Sequence, residues 1–346
     1  MDYFSKKPIT WTWKASESSE RSDLVLLKAI QNQEGNITNG ELPTLTRNQL
    51  HRLMDDGLVT MNGLPLKANK RLLPGALVEI QFPPPLPTEL VAEDRPLEIL
   101  YEDEHLLVVN KPPGLTVHPS TTQMEGTLVH ALLHHIRDLS GIGGVLRPGI
   151  VHRIDKNTSG ALVITKNDLT HLRLSKIFSE HAIERAYWAL CYGSPDVSTL
   201  RPTKIESLLG RSPTDRKKMS MTVKIGRPAI SYFKKIEEFG HAAKKPFASW
   251  LEVTLETGRT HQVRVHLTGL GHSILGDPVY GHPSQTQPKW QALPENVKAA
   301  VLQLPGQALH ARVLGFQHPI TGEKLRFEAE LPPGFRELLA ALKPYG

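Results

Sequence analysis

The sequence predicts an α+β chain in two parts: a small α/β-hairpin unit, then a larger unit on a mixed, mainly antiparallel β-sheet. Three observations carry this. The run Phe82-Pro83-Pro84-Pro85-Leu86-Pro87 breaks the composition and favours a semi-rigid extended spacer. Beyond it, segments with apolar residues at alternate positions outnumber segments of helical period. The two kinds do not alternate regularly, which argues against a doubly wound parallel sheet.

In chain order, residues 1–20 read as an N-terminal arm and 21–82 as the small domain. Ser22 to Ile30 (SDLVLLKAI) is a candidate first helix, and the polar, Gly/Asn-rich stretch Gln31 to Thr44 reads as a loop. Thr46 to Asp56 has the period of an amphipathic helix, with Leu50, Leu53 and Met54 inward and Arg47, His51 and Arg52 on or near the exposed side. Gly57 to Gly63 reads as a strand running into an Asn-Gly hairpin turn, and Ala76 to Gln81 as a final strand. A helix with arginines beside a basic hairpin suits a phosphate backbone, although a solvated basic face explains the same charges. Residues 83–96 are the linker, and 97–346 the large domain.

In the large domain, Leu97 to Tyr101, Leu106 to Val109, Arg185 to Tyr192, Leu251 to Leu255, Ala308 to Phe316 and Leu325 to Leu331 read as strands. Leu169 to Glu180 reads as a helix, with Leu172, Leu174, Ile177 and Phe178 available for burial. The turn Thr257-Gly258-Arg259-Thr260 is expected to start a helix capped by Thr260 and carrying His261 and Arg264.

The most informative stretch is HRIDKNTSG, His152 to Gly160. Asp, Asn, Thr, Ser and Gly in close succession describe a tight hydrogen-bonded loop, and Ala161 to Ile164 behind it a buried strand. A carboxylate at such a junction beside an arginine suits covalent or base chemistry; an Asx-turn that merely caps backbone N–H groups is the plain alternative.

The 346 residues suffice for two cores, with 39% hydrophobic and 22% charged residues, ordinary for a globular protein. Forty-one Lys+Arg against 35 Asp+Glu leave a net charge of +6, which permits an acidic partner such as RNA. The single cysteine, Cys191, excludes an internal disulfide and reads as a core thiol in a reducing compartment. The N-terminal stretch has no continuous apolar segment, so neither a signal peptide nor a membrane span is expected; the expected location is cytoplasmic.

Two resemblances follow. TRNQLHRLMDDGLVTMNG (Thr46 to Gly63) and KRLLPGALVEI (Lys70 to Ile80) are similar to the small RNA-binding domain shared by a small-subunit ribosomal protein and tyrosyl-tRNA synthetases. The order RPGIVHRIDKNTSGALVITKN, ERAYWALCYG, ETGRTHQVRVHL, GDPVYG resembles the RluA family of RNA pseudouridine synthases, over roughly Leu97 to Leu331. Ile154 stands for the usual leucine, Arg185 for the common lysine and Val263 for isoleucine or leucine, and no polar catalytic group is lost.

The resemblance implies conversion of uridine to pseudouridine in RNA, without metal or other cofactor, on a base extruded from the stack. Large-subunit ribosomal RNA is the leading substrate and transfer RNA the second. Asp155 would be the catalytic carboxylate, as nucleophile on the sugar or as base toward a sugar proton. Arg264 would pair with it, and Tyr187 would stack on the base. Arg153 would fill the gap left by the flipped nucleotide, while His152 organises the loop. Thr158, Arg259, His261 and Lys217 complete the expected binding set of the large domain, and Arg47 and Arg52 that of the small one. The run Asp215-Arg216-Lys217-Lys218 suits phosphate contact near the cleft or a solvated loop. The chain is expected to be a monomer.

Three rival classes make distinct demands. A catalytically inactive RNA-binding protein should have lost Asp155, Tyr187 or Arg264, and all are present. A metal-dependent hydrolase, prompted by sixteen histidines, needs acidic ligands at matching spacing around pairs such as His130 and His134. A glycosidase needs a second carboxylate to partner Asp155, and these stretches offer none that is evident.

Overall fold

The computed structural model describes residues 9–16, 21–38, 45, 47–82, 90–119, 123–136, 149–215, 218–240, 245–281 and 287–346. The chain divides into two compact units, residues 1–89 and 90–346.

In the first unit, β1 (Ile9–Lys14), β2 (Asn36–Thr38), β3 (Val59–Met61), β4 (Leu64–Pro65) and β5 (Leu77–Phe82) form an antiparallel sheet in the order β2-β1-β5-β3-β4. Helices α1 (Ser22–Gln31) and α2 (Arg47–Asp55) complete it. Leu26 and Ile30 of α1 and Leu50 and Met54 of α2 share a buried core with Trp11, Val59 and Ile80. The turn between β3 and β4 is Asn62-Gly63, both with positive φ (51° and 79°), the geometry an Asn-Gly hairpin turn requires.

Three readings are corrected. Residues 9–14, expected to lie in an arm, form a strand at the heart of the sheet. In Ile-Thr-Trp-Thr-Trp-Lys the tryptophans alternate with threonines, and Trp11 and Trp13 are buried. Asn36 to Thr38, expected to be loop, pair with β1. Finally, the C-terminal part of the expected linker belongs to the second unit: the Glu93 N–H donates to the His130 carbonyl (2.9 Å) and its carboxylate accepts from the Gly126 N–H (2.7 Å). The proline run itself lies outside the described residues.

The second unit contains, in order, β6 (Ile99–Glu102), β7 (Leu106–Lys111), α3 (Leu128–His135), β8 (Ser159–Thr165), α4 (Asp168–Ser179), β9 (Ile183–Tyr192), β10 (Thr203–Arg211), β11 (Met219–Ser220), β12 (Arg227–Phe239), β13 (Ala248–Leu255), α5 (Gln262–Gly269), α6 (Pro288–Gln291), α7 (Glu295–Leu302), β14 (Leu309–Gln317), β15 (Lys324–Glu328) and α8 (Pro333–Leu342). Its sheet runs β11-β10-β12-β13-β9-β14-β8-β7-β6, with β15 on β14. Among the described strands only β8 and β14 pair in parallel; the other ladders are antiparallel. The sheet is thus the mixed, mainly antiparallel one expected.

Every residue of β7 and β8 is buried, which explains why LLVV and ALVI are unbroken apolar runs. Leu267, Val297, Phe335 and Leu338, from α5, α7 and α8, pack with Leu190, Phe233 and Val253 of the sheet. Cys191 lies in this core, and burial pushes its thiol up to about 12. In α4, Leu174 is buried but Leu172 is 70% exposed, against expectation. Two residues are about 200° apart on a helix, so both cannot face the core.

Candidate active site

The loop before β8 carries Asp155. The Thr158 N–H donates to the Asp155 carbonyl (3.0 Å), and the Thr158 hydroxyl accepts from the Gln307 amide (3.0 Å). Behind it, Ser159 Oγ pairs with His310 Nδ1 (2.9 Å) where β8 meets β14. Gly160 has φ +114°, and a Cβ there would collide with the Ala311 backbone. Glycine is required at this point of closest approach. On the other side, fully buried Lys111 donates from Nζ to the carbonyls of Pro112 (2.8 Å), Leu115 (2.9 Å) and Lys156 (3.0 Å). Burial lowers this amine to about 7, with Asp155 opposing the shift. The Asp155 loop is therefore held at both flanks.

α5 brings up Arg264. Its Nη1 donates to Asp155 Oδ2 (2.8 Å), while Nε and Nη2 donate to Asp277 (2.7 and 2.9 Å). Asp277 also accepts from the backbone N–H groups of Val279 (2.9 Å) and Tyr280 (3.1 Å), and the guanidinium sits 5.0 Å from the Tyr280 ring centroid. Two carboxylates hold the Arg264 pKa well above its ordinary value despite burial. In this chain of charges Asp155 is 17% exposed, Arg264 4% and Asp277 0%. Asp155 is thus the end that faces open space.

That space is a cleft of about 760 Å³, within the usual range for a small-ligand pocket. Asp155, Arg264, Tyr187, Arg153, His152, Thr158, Arg259 and His261 all line it. Tyr187 projects from β9, and burial raises its pKa, so the ring is a neutral phenol at physiological pH. Arg153 is exposed. Arg259 donates from Nε to the Pro228 carbonyl (3.1 Å).

Thr158 and His152 are occupied within the protein, and His261 is so through one ring nitrogen. Thr158 is 2% exposed, its hydroxyl turned to Gln307. His152 stacks on Phe178 at 4.5 Å and accepts from the Val163 N–H (3.1 Å); burial lowers it to about 3, so it is neutral. His261 pairs through Nδ1 with the Tyr280 hydroxyl (2.9 Å), and burial lowers it too. Its Nε2 is 3.9 Å from Asp155 Oδ1, beyond hydrogen-bond reach.

α5 begins differently from the expectation. Thr260 does not cap it; His261 is the N-cap residue, in the left-handed region at φ 58°. The Gln262 side-chain oxygen accepts instead from the Arg259 N–H (2.9 Å) and the Thr257 hydroxyl (2.9 Å), holding the preceding turn. Lys217 lies outside the described residues. In the first unit, Arg47 donates from Nε to the fully buried Asp23 (2.8 Å), and Arg52 is exposed. Asp23 also holds Arg21 and His51, and these partners keep its carboxyl far below the usual range.

Asp277 and Tyr280 were missed as site residues. The signal available was GDPVYG, Gly276 to Gly281, which places an aspartate three residues before a tyrosine in a turn.

A carboxylate presented at a basic cleft by an arginine locked to a second carboxylate defines a class that comparison with known proteins identifies. Residues 105–268 match the family model for RNA pseudouridylate synthase. An uncharacterised RNA pseudouridine synthase of Synechocystis sp. is 41% identical over 306 residues, 88% of this chain and 86% of that protein. Ribosomal large subunit pseudouridine synthase D of Zymomonas mobilis is 42% identical over 302 residues, 86% of this chain and 90% of that protein. Among solved structures, human RNA pseudouridylate synthase domain containing 4 is similar at a TM-score of 0.52 and 25% identity, over 71% of this chain and 93% of the other. The chain belongs to the RNA pseudouridine synthase family, and it is an isomerase that converts uridine in RNA to pseudouridine.

Proposed function

We propose that this enzyme modifies uridines of large-subunit ribosomal RNA in the cytoplasm, with Asp155 as the catalytic carboxylate. The carrying observation is the ion chain Asp277–Arg264–Asp155, of which only Asp155 is substantially open to the cleft. The ribosomal assignment draws on relatives such as the large subunit synthases D of Zymomonas mobilis and Pseudomonas aeruginosa. No helix among the described residues is long and apolar enough to cross a membrane.

The reaction breaks the bond from uracil N1 to the ribose, turns the base and joins its C5 to the same sugar carbon; C5 then gives up its proton and N1 takes one up. Nothing is gained or lost overall. The cleft suits one flipped nucleotide rather than a stacked strand, so the target is extruded into it. Arg264 fixes the Asp155 carboxylate and balances its charge, whether Asp155 attacks the sugar or takes a sugar proton. Tyr187 offers the base a neutral aromatic face, and its hydroxyl assists removal of the C5 proton. Arg153 occupies the gap in the RNA stack, and Arg259 and His261 contact the substrate. His152 and Thr158 act by holding the loop. The first unit binds RNA through the exposed side of α2, where Arg52 is open and Arg47 is set by Asp23. The enzyme works as a monomer.

The test is pseudouridine mapping of cellular RNA from a deletion strain, complemented with wild type or Asp155→Asn. A ribosomal site lost on deletion and restored by wild type alone is the expected result. A site confined to transfer RNA overturns the ribosomal assignment, and restoration by Asp155→Asn overturns the role of Asp155.

A further inference from the structure

A buried arginine, Arg264, and a half-buried one, Arg185, line this cleft, and their surroundings differ in one respect. Arg264 gives Nε, Nη1 and Nη2 to carboxylates. Arg185 has no carboxylate partner among the described residues. It leaves β9 two positions before Tyr187, so both side chains take the same face of the strand, and both line the cleft. Its Nη2 donates only to the backbone carbonyls of Leu255 (3.3 Å) and Glu256 (3.2 Å), and its guanidinium lies 5.9 Å from the Phe178 ring centroid. The nearby acids are taken: Glu184 by Arg326 (3.2 Å), and the Glu256 carboxylate by the Tyr232 hydroxyl (2.8 Å).

Nε of Arg185 is buried and has no hydrogen-bond partner. A buried donor left unpaired is destabilising, the more so on a charged group. Burial accordingly pushes this guanidinium below its ordinary value. The fold nevertheless makes room for it. Gly258 does not have the positive φ that would by itself call for glycine, yet a Cβ there would come within 2.8 Å of Arg185 Nη1. The Gly258 turn therefore packs directly against the guanidinium.

We propose that Arg185 is an anion subsite in the wall of the cleft, and that it takes a phosphodiester of the RNA next to the flipped uridine. This rests on the RNA reading above. The substrate brings one phosphate per nucleotide, and a cation with no carboxylate partner among the described residues is complementary to it. Phe178 and the two carbonyls hold the guanidinium in place before RNA arrives. Asp155 pairs with Arg264 and makes no ion pair with Arg185 among the described residues, which leaves this cation for the backbone.

The experiment uses full-length wild type, Arg185→Gln and Gly258→Ala on total RNA from a strain deleted for the gene, which contains the substrate whichever RNA it is. Pseudouridine formation is followed site by site against RNA and KCl concentration. Arg185→Gln is expected to lower kcat/KM about tenfold, through KM, and to flatten the slope of log kcat/KM against log salt by about 0.7–0.9. Gly258→Ala should shift both in the same direction, since its methyl displaces the guanidinium. It also keeps the test open if Arg185→Gln fails to fold. An unchanged salt slope in a folded variant, or a loss confined to kcat, overturns the subsite. The modified positions separately report the RNA class, so a transfer RNA site would displace the ribosomal assignment without touching this result.

Discussion

Arg264 reaches Asp155 with one nitrogen and Asp277 with two, so Asp277 rather than Asp155 sets where the guanidinium lies. Removing one partner of a buried ion pair leaves the other uncompensated, at about 3–5 kcal/mol. Asp277→Asn is therefore expected to lower the unfolding free energy by about 3 kcal/mol and kcat by about 10²-fold. Urea unfolding and single-turnover rates check both; unchanged kcat would show that Asp155 needs no support from behind.

Asp155→Asn keeps the side-chain volume and removes the charge. Pseudouridine formation is expected to vanish, while RNA affinity stays within about threefold because one cleft residue carries little of a phosphate-dominated interface. Filter binding beside an activity assay reads both. A parallel loss of affinity would reassign Asp155 to the loop's architecture.

Gly160→Ala places a methyl against the Ala311 backbone at a φ of +114°, where L residues are strained. The variant should lose at least about 2 kcal/mol of stability and should lose activity beyond that, since β8 must shift and carry the Asp155 loop with it. Urea unfolding and kcat, measured on protein still folded, separate the two losses. Wild-type values in both would mean that β14 yields at little cost.

The Asp155 loop was legible because it is contiguous: the turn residues, the carboxylate and the apolar strand behind them are neighbours in sequence. Strands β7 and β8 were legible for the same reason, as unbroken apolar runs. The role of Asp277 was not legible, although the stretch GDPVYG that carries it was. Asp277 reaches Arg264 across a turn and thirteen positions, and no periodicity marks such a pair. The start of α5 was misread because Thr260 is a good cap by type, whereas the left-handed His261 and the Gln262 side chain organise that turn. β1 was overlooked although its alternation is plain, because its partners, β2 and β5, lie far along the chain.

His266 and His310 supply a pH dependence. Each is fully buried and lowered to about 4, chiefly by burial, from an ordinary 6.5. Between those values the unfolded chain binds protons that the folded chain does not, so their contribution is complete above about pH 6.5 and is lost as pH falls toward 4. Each group should add a slope of up to about 1.4 kcal/mol per pH unit in that window. Denaturant midpoints from pH 7 to pH 4.5 test this, and His310→Gln should remove one group's share. A flat profile would contradict the neutral assignment.

Removing the residues before Pro83 deletes the first unit, including Arg47 and Arg52. If that unit grips RNA, affinity should fall and its salt dependence flatten, with slow turnover remaining at high enzyme concentration. Unchanged affinity would leave the second unit as the whole RNA-binding surface.

The bonds that close the catalytic loop span a large part of the chain: Ser159 to His310 crosses 151 positions, and Thr158 to Gln307 crosses 149. Such long closures are entropically late events in folding. During synthesis the Asp155 loop therefore leaves the ribosome well before the strand that locks it. A chain that stops before β14 lacks the strand that joins β9 to β8, so the two halves of its sheet stay unjoined and the enzyme is silent until that strand has been made.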